Sequence, residues 1–261
     1  IKLDEYGNQE WDKLFIFEHT SDIDSFSAIT LKITSDNNFI VLGTLSEDET
    51  SWLAKINQIG EIQWEKILTD PCIDLKLINN NSIILSCASI TENYIHPLLL
   101  KLDQDGEQEW NKSFEFSDSS ISYPLSITTT FDGGFAMTGI KSFDCIDIDG
   151  INTCVGDLFA IKTDESGNDL WIMELGDENY IDIGYRIKQT QDNGYIITGQ
   201  TSESLGNDNR DIWLVKLDQN GILEWEKTIV DNDIEDDSDC GGCAGHSIIL
   251  IDDGYIISGK L

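Results

Sequence analysis

The six cysteines carry the most specific chemistry in the sequence. Cys72 and Cys87 flank the turn Asn79-Asn80-Asn81 almost symmetrically. A hairpin reversing there sets them opposite each other, and a disulfide closing such a loop contributes about 3 kcal/mol. Cys145 and Cys154 bracket a long insertion, and Cys240 and Cys243 are neighbours in one loop. Three local disulfides imply an oxidising compartment, extracellular or at the cell surface. The rival reading of Cys240-Gly241-Gly242-Cys243-Ala244-Gly245-His246 is metal or redox chemistry. A closed zinc site needs a fourth ligand that the sequence does not offer. Haem attachment needs His where Ala244 stands, and a redox Cys-x-x-Cys normally precedes a helix, for which no periodicity is present.

Acid is the second resource. The chain carries 49 Asp and Glu against 16 Lys and Arg, a formal net charge of −33. Nucleic acid and anionic lipid are therefore repelled. Asp22 and Asp24, Asp177 and Asp182, the acidic run 231–239 and Glu47-Asp48-Glu49 fall in loops that enter successive repeats. Calcium takes six to eight oxygens. Asp22, Asp24, Asp177 and Asp182 are candidate calcium ligands, although their spacing does not match an EF-hand, and a solvated charged face is the simpler account. No apolar run reaches the roughly 18 residues of a membrane helix, and no signal peptide is visible. The first residue is Ile, which leaves a removed leader and a longer parent polypeptide both open.

These residues are positioned by a repeat. Lys2-Leu3-Asp4 with Gly7 and Trp11 returns as Lys216-Leu217-Asp218 with Gly221 and Trp225. Variants at Lys55-Ile56-Asn57, Lys101-Leu102-Asp103 and Lys162-Thr163-Asp164 lead to Trp64, Trp110 and Trp171, always with the same Gly-to-Trp spacing. A second block alternates with it: Asp36-Asn37-Asn38-Phe39, Asp132-Gly133-Gly134-Phe135, Asp192-Asn193-Gly194-Tyr195 and Asp252-Asp253-Gly254-Tyr255, with Asn79-Asn80-Asn81 as a degenerate copy. Each period of about 46 to 61 residues holds four short β-type runs between turn signals, which is the content of one propeller blade. The sequence predicts an all-β, five-bladed β-propeller of four-stranded blades in a single domain, 1–261. The chain opens in the third strand of a blade and stops after the second strand of another, so the N-terminal strands are expected to complete the C-terminal blade and close the ring. The five repeated Trp are expected to be buried between blades.

The strings Asp192-Asn193-Gly194-Tyr195-Ile196-Ile197-Thr198-Gly199 and Asp211-Ile212-Trp213-Leu214-Val215-Lys216-Leu217-Asp218, followed by Gly221 and Trp225, resemble repeats of secreted bacterial and archaeal propeller proteins. The resemblance covers essentially the whole chain. It implies the fold and an extracellular or cell-surface setting and names no ligand, since that group is largely of unknown activity. The Asp-x-x-Gly-x-x-x-Trp turn also resembles the Asp-box of sialidases, but the spacing differs and no sialidase chemistry is carried over.

Aligning the first strands on Asp36, Asn80, Asp132, Asp192 and Asp252 places Thr30, Asp74, Ser126, Arg186 and His246 six residues upstream. Lys32, Lys76, Thr128, Lys188 and Ile248 stand four upstream. Alternation along a strand puts this polar set on one side, facing the central channel if these strands are innermost. Arg186, His246, Lys32, Lys76, Lys188 and Asp74 are thus candidates for a polar or anion-binding channel, against a water-filled axis of mutually bonded side chains. Tyr180, with Tyr94, Tyr123 and Phe143, offers aromatic contacts near variable loops. The leading functional expectation is a binding or scaffold module that recognises a glycan, a peptide or a neighbouring surface protein. No nucleophile motif points to an enzyme. A propeller glycoside hydrolase needs two carboxyls, of which the inner strands supply only Asp74, and a structural subunit of a surface assembly is the third reading.

Overall fold

The repeated Asp builds its own turn. In each of the five copies the side-chain oxygen of Asp4, Asn57, Asp103, Asp164 or Asp218 accepts the backbone N–H groups two and four residues on, at 2.8 to 3.1 Å. The backbone oxygen of the same residue accepts the N–H of Gly7, Gly60, Gly106, Gly167 or Gly221. These glycines sit at φ between 77° and 84°, where a Cβ is strained. The side chain replaces one turn of backbone hydrogen bonding, which is why the motif tolerates any residue between Asp and Gly. The alternate block reverses through Asn37, Asn193 or Gly133, all at positive φ.

The computed structural model describes residues 1–13, 26–45, 50–116, 121–148, 151–177, 180–202, 210–229 and 243–260. Its strands are β1 (Lys2–Leu3), β2 (Gln9–Trp11), β3 (Phe26–Ile33), β4 (Phe39–Leu45), β5 (Thr50–Ile56), β6 (Ile62–Leu68), β7 (Cys72–Leu77), β8 (Ile83–Ile90), β9 (Ile95–Leu102), β10 (Gln108–Ser113), β11 (Ile121–Thr129), β12 (Phe135–Ile148), β13 (Ile151–Thr163), β14 (Asp169–Leu175), β15 (Ile183–Gln189), β16 (Tyr195–Ser202), β17 (Arg210–Leu217), β18 (Leu223–Ile229), β19 (Ala244–Ile251) and β20 (Gly254–Lys260). Among the described residues a 3-10 turn spans Asn79–Asn81 and no α-helix occurs. The protein is all-β, as its repeat predicts, and no described helix is long and apolar enough to cross a membrane.

Successive strands pair antiparallel. β3 to β6 and β15 to β18 are four-stranded sheets in sequence order. β7 to β10 and β11 to β14 are linked into one eight-stranded sheet by a single parallel pairing, Ile121 with Ile95. The described sheets therefore run from two to eight strands. β1 with β2 and β19 with β20 are separate two-stranded sheets, so the expected closed ring is not present in the hydrogen bonding of the described strands.

The chain divides into two compact units, 1–85 with 100–110, and 86–99 with 111–261. In the first, Trp52, Ala54 and Ile56 of β5 form a core with Phe39 and Val41 of β4. In the second, Ala136, Leu158 and Ala160 from the third repeat interdigitate with Ile187, Tyr195, Ile197, Trp213, Val215 and Leu217 from the fourth, flanked by Trp171, Met173 and Leu175. This is face-to-face sheet packing to which β13, β16 and β17 contribute alternate side chains, while β16 and β17 are buried on both faces.

Candidate functional site

The tight turns form one end of the strands, and there the repeat residues satisfy one another. The Trp171 indole lies on Gly221, where an added Cβ would stand 2.7 Å from the ring, and its Nε1–H donates to the Gln219 carbonyl at 3.1 Å. Trp11 packs on Gly60 and donates to Gln58 at 2.8 Å, while Trp64 packs on Gly106. The Trp side chains are therefore half-buried interlocks, not the fully buried plugs expected from the sequence, because one ring face must meet the next turn. Trp225 is 39% exposed, and no atom lies within 4 Å of the position a Cβ on Gly7 would take. Beside each interlock a lysine of the third strand pairs with the hairpin Asp: Lys55 with Asp36 at 3.3 Å, Lys162 with Asp132 at 2.9 Å and Lys216 with Asp192 at 3.0 Å.

These carboxyls are held down to about 2. For Asp36 and Asp192 the leading cause is the hydroxyl of Thr34 or Thr190, joined by the lysine. For Asp132, burial pushes upward and is outweighed by Thr130 and Lys162. Every strong partner here belongs to the scaffold. A cleft of 460 Å³ opens on this side, lined by Lys162, Trp171, Tyr195 and Gln219 among others, and its Lys162 and Trp171 N–H groups are engaged within the fold.

The opposite end of the strands is different. Ahead of β15, residues 180–182 run parallel to β13 at Gly156. Tyr180 N–H donates to Asp177, Gly156 N–H donates to the Tyr180 carbonyl at 3.2 Å, and Asp182 N–H donates to the Gly156 carbonyl at 2.8 Å. This parallel tether carries Asp182 beside Asp157. A Cβ built on Gly176 would stand 2.5 Å from Asp157 Oδ1 and 2.7 Å from Asp182 Oδ2, so both carboxyls converge over the one residue without a side chain. Asp182 is 2% exposed, its Oδ2 accepts the Asp177 N–H at 3.0 Å, and Oδ1 of both Asp157 and Asp182 lacks a hydrogen-bond partner. The adjacent cation is Lys141, fully buried, bonded to Glu174 at 2.5 Å and 5.6 Å from the Phe116 ring centre.

Burial, first, and then the neighbouring Asp182 charge push the Asp157 carboxyl up to about 6, with Glu174 and Asp177 adding to the rise and Lys141 opposing it. Asp182 is also raised, chiefly by burial, although the Thr201 hydroxyl and the Asp177 N–H pull it down. Two acids raised by burial above the ordinary carboxylate range mark this place as chemically distinct from the turn side.

Of the residues singled out from sequence, Asp177 and Asp182 are brought together here and Tyr180 joins them through its backbone. Asp22, Asp24, the run 231–239 and Glu47-Asp48-Glu49 lie outside the described residues. Asp157 was missed, although it aligns with Asp211 in the strand before each repeated lysine, and that equivalence was the available signal. No group of three or more His, Cys, Asp or Glu side chains with metal-binding geometry occurs among the described residues. On the inner strands, Arg186 donates to the Leu125 carbonyl of β11 at 3.3 Å and His246 packs on Tyr185 at 5.4 Å. Asp74 and Lys76 pair with each other at 2.7 Å, while Lys188 is exposed and Lys32 half-buried. Tyr94 is exposed and stacks on His96, with ring centres 5.6 Å apart. Cys72, Cys87 and Cys243 are disulfide-bonded. The register sets Cys145 opposite Cys154, and Cys240 lies outside the described residues.

Known structures supply the comparison. A catalytically inactive virginiamycin B lyase from Staphylococcus aureus, solved with quinupristin, superposes at a TM-score of 0.51 and 15% identity, covering 92% of this chain and 71% of that one. A protein of unknown function from Dyadobacter fermentans gives a TM-score of 0.52 at 9% identity, over 78% of this chain and 70% of that one. The chain has a propeller-like fold. At these identities the likeness concerns fold alone. No model of a protein family matches the sequence, and no curated protein is similar to it.

Proposed function

We propose that this chain is an extracellular or cell-surface binding or scaffold module that recognises a glycan, a peptide or a neighbouring surface protein through its acidic loop side. The observation that carries the reading is the Asp157 and Asp182 pair, whose unsatisfied oxygens contrast with the fully partnered acids of the turns. Buried acceptors without donors favour a ligand that brings hydroxyl or amine hydrogens. The disulfide-bonded cysteines support an oxidising compartment. The test is a glycan and peptide array probed with the full chain, with and without calcium, against Asp157→Asn and Asp182→Asn. Binding that is lost in both variants supports the reading, and binding unchanged in both sinks it.

The finer architecture belongs to the same proposal: five four-stranded blades in one ring, the last made of β19 and β20 with β1 and β2. The repeat supports it through two contacts that each lack one member. Trp225 is the one repeated indole exposed by more than a third, and Gly7 is a turn glycine with open space above it. Asp252 occupies the place of Asp192, and Lys2 that of Lys216. A glycoside hydrolase is the second reading, favoured by two closely placed carboxyls of which one is raised toward neutrality. Release of reducing ends from a polysaccharide panel, abolished in Asp157→Asn, would establish it, and an inert panel would remove it.

A further inference from the structure

We propose that the turn-side cleft between the hairpins of the first and second repeats binds a neutral, hydroxyl-rich ligand, a glycan residue, through Ser35, Asn80, Asn81, Ser82 and Gln104. These residues line the cleft together with Asp103, and its volume is 520 Å³. Small-molecule sites commonly span about 300–1,000 Å³. The cleft shares no residue with the Asp157 and Asp182 pair, so it stands or falls separately from the loop side.

A break in the repeat sets this place apart. In three copies the hairpin Asp is held by a Thr hydroxyl two residues earlier and by the third-strand lysine: Asp36 by Thr34 and Lys55, Asp132 by Thr130 and Lys162, Asp192 by Thr190 and Lys216. In the second repeat Ile78 stands at the Thr position and Asn80 at the Asp position, so both the hydroxyl and the carboxylate are missing. The equivalent lysine, Lys101, turns to Glu109 at 2.9 Å and lies 5.9 Å from the Trp110 ring centre. Asn80 is exposed at φ 60° and ψ 26°, and its side chain makes no hydrogen bond to a described residue.

The Trp interlock of the same turn is altered as well. Trp64 meets Gly106 with Cζ3 and Cη2, the tip of its ring, where Trp171 meets Gly221 with Cδ2, Cε2 and Cε3. Trp11 and Trp171 donate to the carbonyls of Gln58 and Gln219. The buried Nε1–H of Trp64 has no acceptor, so the carbonyl of Gln104, the equivalent residue, receives no indole. Contacts that hold the other repeats together are thus absent where the cleft is lined by amides and hydroxyls.

The chemistry of the lining selects the ligand class. Amides and hydroxyls both donate and accept, as sugar hydroxyls do. None of the lining residues is Lys or Arg, which disfavours an anion. The one carboxylate among them, Asp103, commits Oδ1 to the N–H groups of Asp105 and Glu107 at 2.9 Å, far short of the six to eight oxygens that calcium takes. The walls are also fixed in advance. Asn81 Nδ2 donates to Ser35 Oγ at 2.9 Å and Asn81 Oδ1 accepts the Ser35 N–H at 2.8 Å, joining the two hairpins. This clasp leaves the Ser35 hydroxyl hydrogen and the second Asn81 Nδ2 hydrogen to a ligand, and a preorganised wall lowers the ordering cost of binding.

Saturation-transfer NMR on the intact chain tests this, with cellobiose, maltose, lactose and chitobiose as neutral probes, each in the presence and absence of EDTA. At least one should bind saturably with EDTA present. Asn80→Asp returns the carboxylate that the other repeats pair with this lysine, and Gln104→Ala removes an amide from the wall. Each should weaken binding about tenfold or more, while Gln219→Ala, in the equivalent turn of the fourth repeat, leaves it unchanged. A melting temperature of Asn80→Asp at or above that of the wild type shows that the loss is not unfolding. Absence of saturable binding by every probe up to about 50 mM overturns the proposal. Binding that Asn80→Asp and Gln104→Ala leave intact also overturns it, by assigning the sugar to another surface such as the loop side, and binding abolished by EDTA overturns it by making a cation the ligand.

Discussion

Replacing Gly7 by Ala probes the ring through a contact that only closure would create. Gly7 and Gly221 have nearly the same backbone, φ 84° and 78°, so Ala pays the same left-handed strain at both. That strain costs about 1–2 kcal/mol, partly offset by about 0.5–1 kcal/mol from the stiffer unfolded chain. At Gly221 the new methyl also lies 2.7 Å from two atoms of the Trp171 ring. Displacing the indole adds an overpacking cost of about 1–3 kcal/mol, and weakening its bond to Gln219 adds about 1 kcal/mol. Gly221→Ala should therefore lose about 3 kcal/mol, which for a chain of this size lowers Tm by about 6–12 °C. In the two-stranded sheet β1–β2 nothing meets a methyl on Gly7, and the shift would be about 2–4 °C from strain alone. If Trp225 covers Gly7 as Trp171 covers Gly221, the two glycine variants should melt alike. Calorimetry of Gly7→Ala, Trp225→Ala and the double variant decides the matter, with a coupling energy of about 1–2 kcal/mol expected for a direct contact. A small Gly7→Ala shift, additive with Trp225→Ala, refutes the reasoning.

Acid should destabilise the turn side: the carboxyls of Asp36, Asp132 and Asp192 lie at about 2, below their usual 3.8, so their contribution is complete above pH 4 and is lost as pH falls toward 2. Thr190→Val should move the onset of acid unfolding, followed by circular dichroism, to higher pH. Asp157 has the reverse sign: its raised carboxyl favours the fold below pH 4 and loses that effect as pH climbs through about 6, so Asp157→Asn should raise Tm at pH 8 and have little effect at pH 4. Serine in place of Cys72 and Cys87 should cost about 3 kcal/mol in a denaturant titration. Thiol titration of the unreduced, unfolded chain should find none reactive, since no free cysteine is present among the described residues.

The repeat made much of the fold legible before any coordinate. Asp-x-x-Gly turns are local devices, closed by a side chain reaching two and four residues ahead, and local geometry is what sequence encodes most directly. The strands between them follow from alternation and short β-type runs. Pairing of Cys145 with Cys154 in register is similarly local. The inner-strand alignment placed Arg186 and His246 on related strands but not their partners, because a carbonyl such as Leu125 leaves no trace in a side-chain pattern.

Asp157 and Asp182 stand farther from one another in the chain than any turn can encode. What joins them is the parallel bridge of Gly156 with Ile181, a tertiary pairing between β13 and the residues just ahead of β15. Their raised carboxyls are a property of that enclosure, since desolvation depends on what covers a residue and not on its neighbours in sequence. The same distinction separates the Trp residues: their fixed spacing from Gly is written in the sequence, whereas the exposure of Trp225 beside the half-burial of Trp171 is decided by whether another turn lies against the ring. The sequence determined where this chain turns and which residues the turns repeat; tertiary packing decided which of its many acids lost their water.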